Sequence, residues 1–181
     1  MKPVKNSIAP ELIAHQSPIT LNPEFALKPP SAAHWFGTDD VGRDLFSRVI
    51  HATRITLGLV AGALFISASV GSLLGLVSGF SGGLLDQLLS RLIDVILTFP
   101  PIIAGVVITG ILGPGADHLV LALSVVYLPM FFRIARSGAM AENSRTYVEA
   151  ARSLGFGAPH ILFKQVAPNV LPLILMQYVI L

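Results

Sequence analysis

Between Ile55 and Phe80 the chain runs 26 residues without an Asp, Glu, Lys or Arg. As a helix that run reaches about 39 Å, whereas about 20 apolar residues suffice to cross the ~30 Å hydrocarbon core of a bilayer. It reads as a membrane span. It is also rich in small residues, and Gly58-Leu-Val-Ala-Gly62 and Gly71-Ser-Leu-Leu-Gly75 both have the four-residue spacing that lets helix backbones approach closely in a bundle. The spacing alone is weak evidence for a specific contact.

The rest of the chain fits that reading. Mean hydropathy is +0.73, and 12% of residues are charged where a soluble domain averages about 25%. Half of the charges, eleven of twenty-two, lie before Ile55. A second apolar run, Val95 to Leu112, is interrupted by Pro100 and Pro101, which predict a kink or local unwinding. Gly113-Pro-Gly115 then predicts a sharp turn. The third run, Leu119 to Phe132, is short at fourteen residues, carries Pro129, and spans only by borrowing residues before it or where neighbours thin the bilayer. A fourth begins near Val166 and meets the end of the sequence at Leu181. The expected spans are therefore 55–80, 95–112, 117–132 and 166–181, with a loop at 133–165. Residues 1–33, proline-rich and without a long apolar stretch, are expected to form an extended amino-terminal segment.

Arg133, Arg136, Arg145, Arg152 and Lys164 fall in the third loop, so the positive-inside rule puts it in the cytoplasm and 113–118 outside. Three spans then put everything before Ile55 outside as well, although those residues include six Lys and Arg. In that position it is expected to need a preceding span for export. Within the cytoplasmic loop, Tyr147 to Leu154 reads as a short helix. Asn143 or Ser144 would cap it, Arg145 and Glu149 would pair at i,i+4, and Gly155 would stop it. Tyr147, Val148, Ala151 and Leu154 are expected on one face, with Arg145, Glu149 and Arg152 on the other. Pro159 suits the first turn of a following helix. Together these form a charged knob between two spans.

Upstream, Val41, Leu45 and Val49 with Phe46 and Ile50 make an apolar stripe, and Asp44 and Arg48 stand four apart. Residues 34–54 are therefore expected to form an amphipathic segment on the outer membrane face, with a short helix carrying that stripe. Asp94 lies close inside an apolar run, where an acid is a functional candidate by default. Arg91, three residues earlier, offers it a structural partner at the membrane edge.

Catalysis and metal binding find no support. The chain has no cysteine, its five histidines are scattered, and no Gly-x-x-x-x-Gly-Lys-Ser/Thr loop occurs. A net charge of +2 without a basic cluster gives no nucleic-acid footprint.

The knob resembles the Glu-Ala-Ala loop of bacterial ABC importer permeases. Glu149-Ala150-Ala151, Gly155 and Pro168 keep its spacing, while Gln165 and Ala167 depart from it. His34-Trp-Phe-Gly-Thr-Asp39-Asp-Val-Gly-Arg-Asp44-Leu-Phe-Ser-Arg48 is similar to the signature of the second permease in dipeptide, oligopeptide and nickel importers. Its residues His34, Gly37, Thr38, Asp39, Gly42, Arg43, Asp44, Ser47 and Arg48 all match, with Phe36 the one departure. Gly79-Phe-Ser-Gly-Gly-Leu-Leu-Asp86, followed by Arg91 and Asp94, also looks like that subfamily. The resemblance runs from His34 to Leu181.

What the resemblance implies is an all-α, polytopic membrane bundle of the type I ABC importer kind in a bacterial inner membrane, truncated at both ends. Tyr147, Glu149, Ala150, Ala151, Arg152, Leu154, Gly155 and Pro168 would form a coupling loop docked on an ATPase subunit. ATP and Mg would be bound by two such partner subunits. A second permease would share the pathway, and a solute-binding protein would deliver a peptide or similar solute. Two other readings compete. One is a truncated, inactive permease fragment. The other is a secondary transporter or channel, which would call for midplane ionisable residues or an inverted repeat.

Overall fold

The computed structural model describes residues 19–180. Among them every regular element is helical, as expected, apart from one isolated bridge between Thr38 and Asp44. The chain divides into two compact units, Met1–Gly58 and Leu59–Leu181.

In the first unit a 3-10 turn at Pro23–Phe25 precedes a tight loop and the start of α1 (Leu45–Ser81). The expected extended segment 1–33 lies partly outside the described residues, and its described part is not loose. The amides of Asn22 and Leu27 donate to the carbonyls of Val41 and Asp39, and that of Thr38 donates to Lys28. The expected short amphipathic helix is also corrected. Val41 precedes the helix, and the turn from Leu45 onward continues without a break into the uncharged run for 37 residues. No Pro or Gly falls between Leu45 and Leu57, so nothing in the sequence interrupts helical propagation there.

The second unit is built around α4 (Ala116–Asn143), whose Phe131, Phe132, Ala135 and Ala139 are almost fully buried. Its 28 residues overrun the expected span at both ends, so residues 133–143 are helix and not loop. Pro129 is buried within it and does not end it. Of the two small-residue motifs in α1, the second makes the close approach. A methyl added at Gly71, Gly75 or Gly79 would lie 2.7, 2.3 or 2.3 Å from the carbonyl oxygens of Leu128, Phe132 and Arg136. Gly58 meets open space. Two serines join the same helices: Ser67 Oγ donates to the carbonyl of Ser124 at 2.8 Å and Ser124 Oγ to that of Ala63 at 3.3 Å.

α2 (Gly83–Thr98) and α3 (Pro101–Leu112) both pack on α4 and meet at 89° across the Pro100–Pro101 break, in line with the expected kink. Beyond α4 come α5 (Thr146–Ser153), α6 (Ala158–Ile161), a π-helical segment Leu162–Val166, and α7 (Ala167–Ile180), which returns along α4. By length and composition α1 and α4 can each cross a membrane, and α2 with α3 would supply a third, broken span.

Candidate functional site

α5 owes its position to two buried residues, Val148 and Ala151, which join a core with Ile161, Leu162 and Val166. It ends in a Schellman motif: the amide of Phe156 donates to Ala151 and that of Gly155 to Arg152. Gly155 holds φ +84°, the left-handed conformation that a side chain would strain. The expected stop is therefore in place. The expected cap is not, because Arg145 is the residue before the helix and no side chain caps it. Asn143 instead donates from Nδ2 to the carbonyl of Phe80 at 3.2 Å and accepts from Arg152 at 2.6 Å. The Arg152 guanidinium also lies 5.6 Å from the Phe80 ring centre.

Two further expectations for the knob are corrected. Arg145 has extended backbone and reaches back to Glu142 at 3.8 Å rather than forward to Glu149, because an i,i+4 pair needs both residues in the helix. Leu154 is 77% exposed and not on the buried face. Each three-residue step falls about 60° short of a full turn, so Leu154 has rotated off the stripe of Val148 and Ala151. Tyr147, half-buried, donates its hydroxyl to Glu142 Oε2 at 2.7 Å and accepts from Asn169 at 3.1 Å. Burial and the Glu142 carboxylate push its hydroxyl above the ordinary tyrosine value, so it stays a donor at neutral pH. The hairpin is thus bonded to the end of α4 and to α7, and it meets the end of α1 through the Arg152–Phe80 contact and through Asn143. Glu149, Ala150, Arg152, Leu154, Gly155 and Phe156 form its exposed surface, and Pro168 lies exposed at the start of α7.

In the first unit the signature residues fold around two carboxylates. Asp39 accepts from the amides of Val41 and Arg43 at 3.1 and 2.9 Å, from Arg43 Nε at 2.8 Å, and from Arg48. Asp44 accepts from the amide of Ser47 at 2.8 Å, which caps α1, and faces His34 Nδ1 at 3.1 Å. The expected Asp44–Arg48 pair does not form, because capping turns Asp44 away and Arg48 goes to Asp39. Partial burial raises the Asp39 carboxyl, but the Arg43 and Val41 amides and the Arg43 guanidinium outweigh it and hold it at about 2. Gly37 and Gly42 both have positive φ, and a methyl at Gly42 would lie 1.8 Å from the carbonyl oxygen of Asn22. Thr38 donates to the carbonyl of Phe25 and accepts from the amide of Lys28.

The Arg91–Asp94 pair is also corrected. Asp94 meets Arg133 of α4 at 3.4 Å, and Arg91 makes no ion pair among the described residues. A base preceding an acid on a helix is the weaker order, and α4 brings Arg133 alongside. Sequence reasoning missed a stronger contact: Asp86 on α2 takes two parallel bonds from Arg136 on α4, plus one from Ser78 on α1. Its signal was an acid and a base each inside an apolar stretch, which requires a partner for both.

Residues 71–181, which include α4 and the whole hairpin, match the family of binding-protein-dependent transport system inner membrane components. The chain belongs to this family. Its helical architecture is that of the type I ABC importer membrane domain, with helices apolar enough to lie in the inner membrane the family is named for. The chain is 37% identical over 92% of its length to the dipeptide transport system permease protein DppC of Alkalihalophilus pseudofirmus, covering 55% of that protein. It is 39% identical over 91% of its length to the probable D,D-dipeptide transport system permease protein DdpC of Escherichia coli, again covering 55%. It is 36% identical over 77% of its length to the glutathione transport system permease protein GsiD of Pectobacterium atrosepticum, covering 46%. This family member spans about half the length of the curated relatives it matches.

Proposed function

We propose that the chain acts as a permease subunit of an ATP-binding-cassette importer for small peptides, and that the α5 hairpin is the handle through which ATPase subunits drive it. The observation that carries this reading is how the hairpin is held. Its inner face is buried, Tyr147 and Arg152 bond it to α4 and α7, and Asn143 of α4 carries the link on to the end of α1, while Glu149, Leu154, Phe156 and the outer edge of Arg152 stay exposed. A partner that grips the free face displaces the ends of three helices together. Leu154 and Phe156 would fill an apolar cleft, and Glu149 and Arg152 would bond at its rim.

ATP and Mg would belong to two such ATPase subunits, since the chain carries no phosphate-binding loop. A second permease would complete the pathway and a solute-binding protein would load it. Peptide cargo is suggested by relatives named for dipeptide, D,D-dipeptide and glutathione transport. The test is Gly155→Asp in the assembled transporter. It should abolish uptake and peptide-stimulated ATP hydrolysis while the subunit still inserts in the membrane. Uptake at the unaltered rate would refute the coupling role.

A further inference from the structure

Two acid–base pairs join α2 to α4, and they differ in kind. Asp86 and Arg136 form a closed pair with bonds of 2.5 and 2.6 Å, the Ser78 hydroxyl adding a third, and their side chains are 15% and 31% exposed. Asp94 and Arg133 share one contact at 3.4 Å, with side chains 56% and 63% exposed. The closed pair is saturated. The open one keeps Asp94 Oδ2 and most of the Arg133 N–H groups available.

We infer that Asp94 and Arg133 form a polar contact on the translocation face of this subunit and take the ammonium and carboxylate ends of a small peptide in transit. The inference rests on the permease reading above.

Depth is the first argument. Arg133 stands 17 residues into α4 and Asp94 stands 11 residues into α2, about 25 and 16 Å from the helix starts. Asp94 thus lies within the α2–α3 pair that could form a broken span, and Arg133 at the inner end of the apolar stretch of α4. Charged groups at such positions almost always face a bundle interior or a water-filled cavity, because lipid makes them costly.

The second argument is the surrounding face. Met130, Arg133, Ser137 and Met140 recur at helical spacing and are all exposed, on the side of α4 away from the α1 contact through Leu128, Phe132 and Arg136. Arg91, one turn before Asp94, is exposed too and adds a second cation for a carboxylate. A zwitterionic peptide would replace one long contact with two charge-assisted bonds. Because the pair is already half-exposed, little desolvation opposes the exchange, and release remains easy.

The absence of cysteine makes the test clean for this subunit. In the assembled transporter in proteoliposomes, Ser137→Cys should react with a charged, membrane-impermeant methanethiosulfonate, and a saturating free dipeptide should slow that reaction about tenfold, an effect of about 1.4 kcal/mol. Adding Asp94→Asn or Arg133→Gln should leave the thiol reactive but remove the protection. A dipeptide blocked at both ends should not protect even without those changes. An unreactive thiol, as at a lipid-facing position, would overturn the inference, as would protection that survives both substitutions. If either occurs while Gly155→Asp still abolishes uptake, the peptide contact fails alone. If Gly155→Asp transports normally, the permease reading has failed instead.

Discussion

Asp86 and Arg136 meet in a two-bond fork, 2.5 and 2.6 Å long, although fifty residues separate them in sequence. The fork fixes α2 against α4 and, through Ser78, against α1. Removing one partner of a largely buried pair strands the other charge, at a cost of about 3–5 kcal/mol when fully buried. With Arg136 about one-third exposed, Asp86→Ala is expected to cost about 1–3 kcal/mol by thermal unfolding in detergent. Asp86→Ala combined with Arg136→Ala should cost less than the two single losses added together.

The α1–α4 contact leaves no room for a side chain at Gly75, where an added methyl would lie 2.3 Å from the Phe132 carbonyl oxygen and 2.9 Å from Ala135 Cβ. Gly75→Ala must push the helices apart and is expected to destabilise by about 1–3 kcal/mol. Gly58→Ala on the same helix, where a methyl meets open space, should leave the melting temperature within error in the same assay.

Acid should loosen the amino-terminal knot. The folded carboxyl of Asp39 is held at about 2, below its ordinary value of 3.8, so its stabilisation is complete above about pH 4 and is lost as pH falls toward 2. Asp44, also lowered, acts in the same direction. Trp35, the sole tryptophan, has its ring 4.9 Å from that of Phe46 and reports on this unit. Its emission is expected to be flat from pH 7 to 4 and to change below. Asp39→Asn should already show the altered emission at pH 7.

Tyr147→Phe removes the hydroxyl that bridges Glu142 and Asn169 while keeping the ring. A net loss of about 0.5–1.5 kcal/mol is expected. The sharper readout is coupling: peptide-stimulated ATP hydrolysis by the assembled transporter should fall while the basal rate holds.

Much of this was legible in the sequence where one residue decides the local outcome. Gly155 ends α5, Pro100 and Pro101 break α2 from α3, and the uncharged run becomes α1. Pairing was far less legible. Arg48, Asp94 and Arg145 each had a partner one turn away in sequence, and each took a different one. Helical spacing supplies candidate pairs, but capping at Asp44, the backbone of Arg145 and the approach of α4 choose among them. The signature around Asp39 was readable as a pattern, whereas its physical content, two carboxylates saturated by a folded loop, depends on contacts that only the fold brings together.

The right-angled elbow at Pro100–Pro101 has one more effect. Neither proline can donate, and the amides of Ile102 and Ile103 open α3 without a backbone acceptor among the described residues. Hydrocarbon would leave those groups unanswered at several kcal/mol each. The elbow therefore has to be wetted or roofed by protein, and an apolar segment is obliged to keep one corner that lipid cannot line.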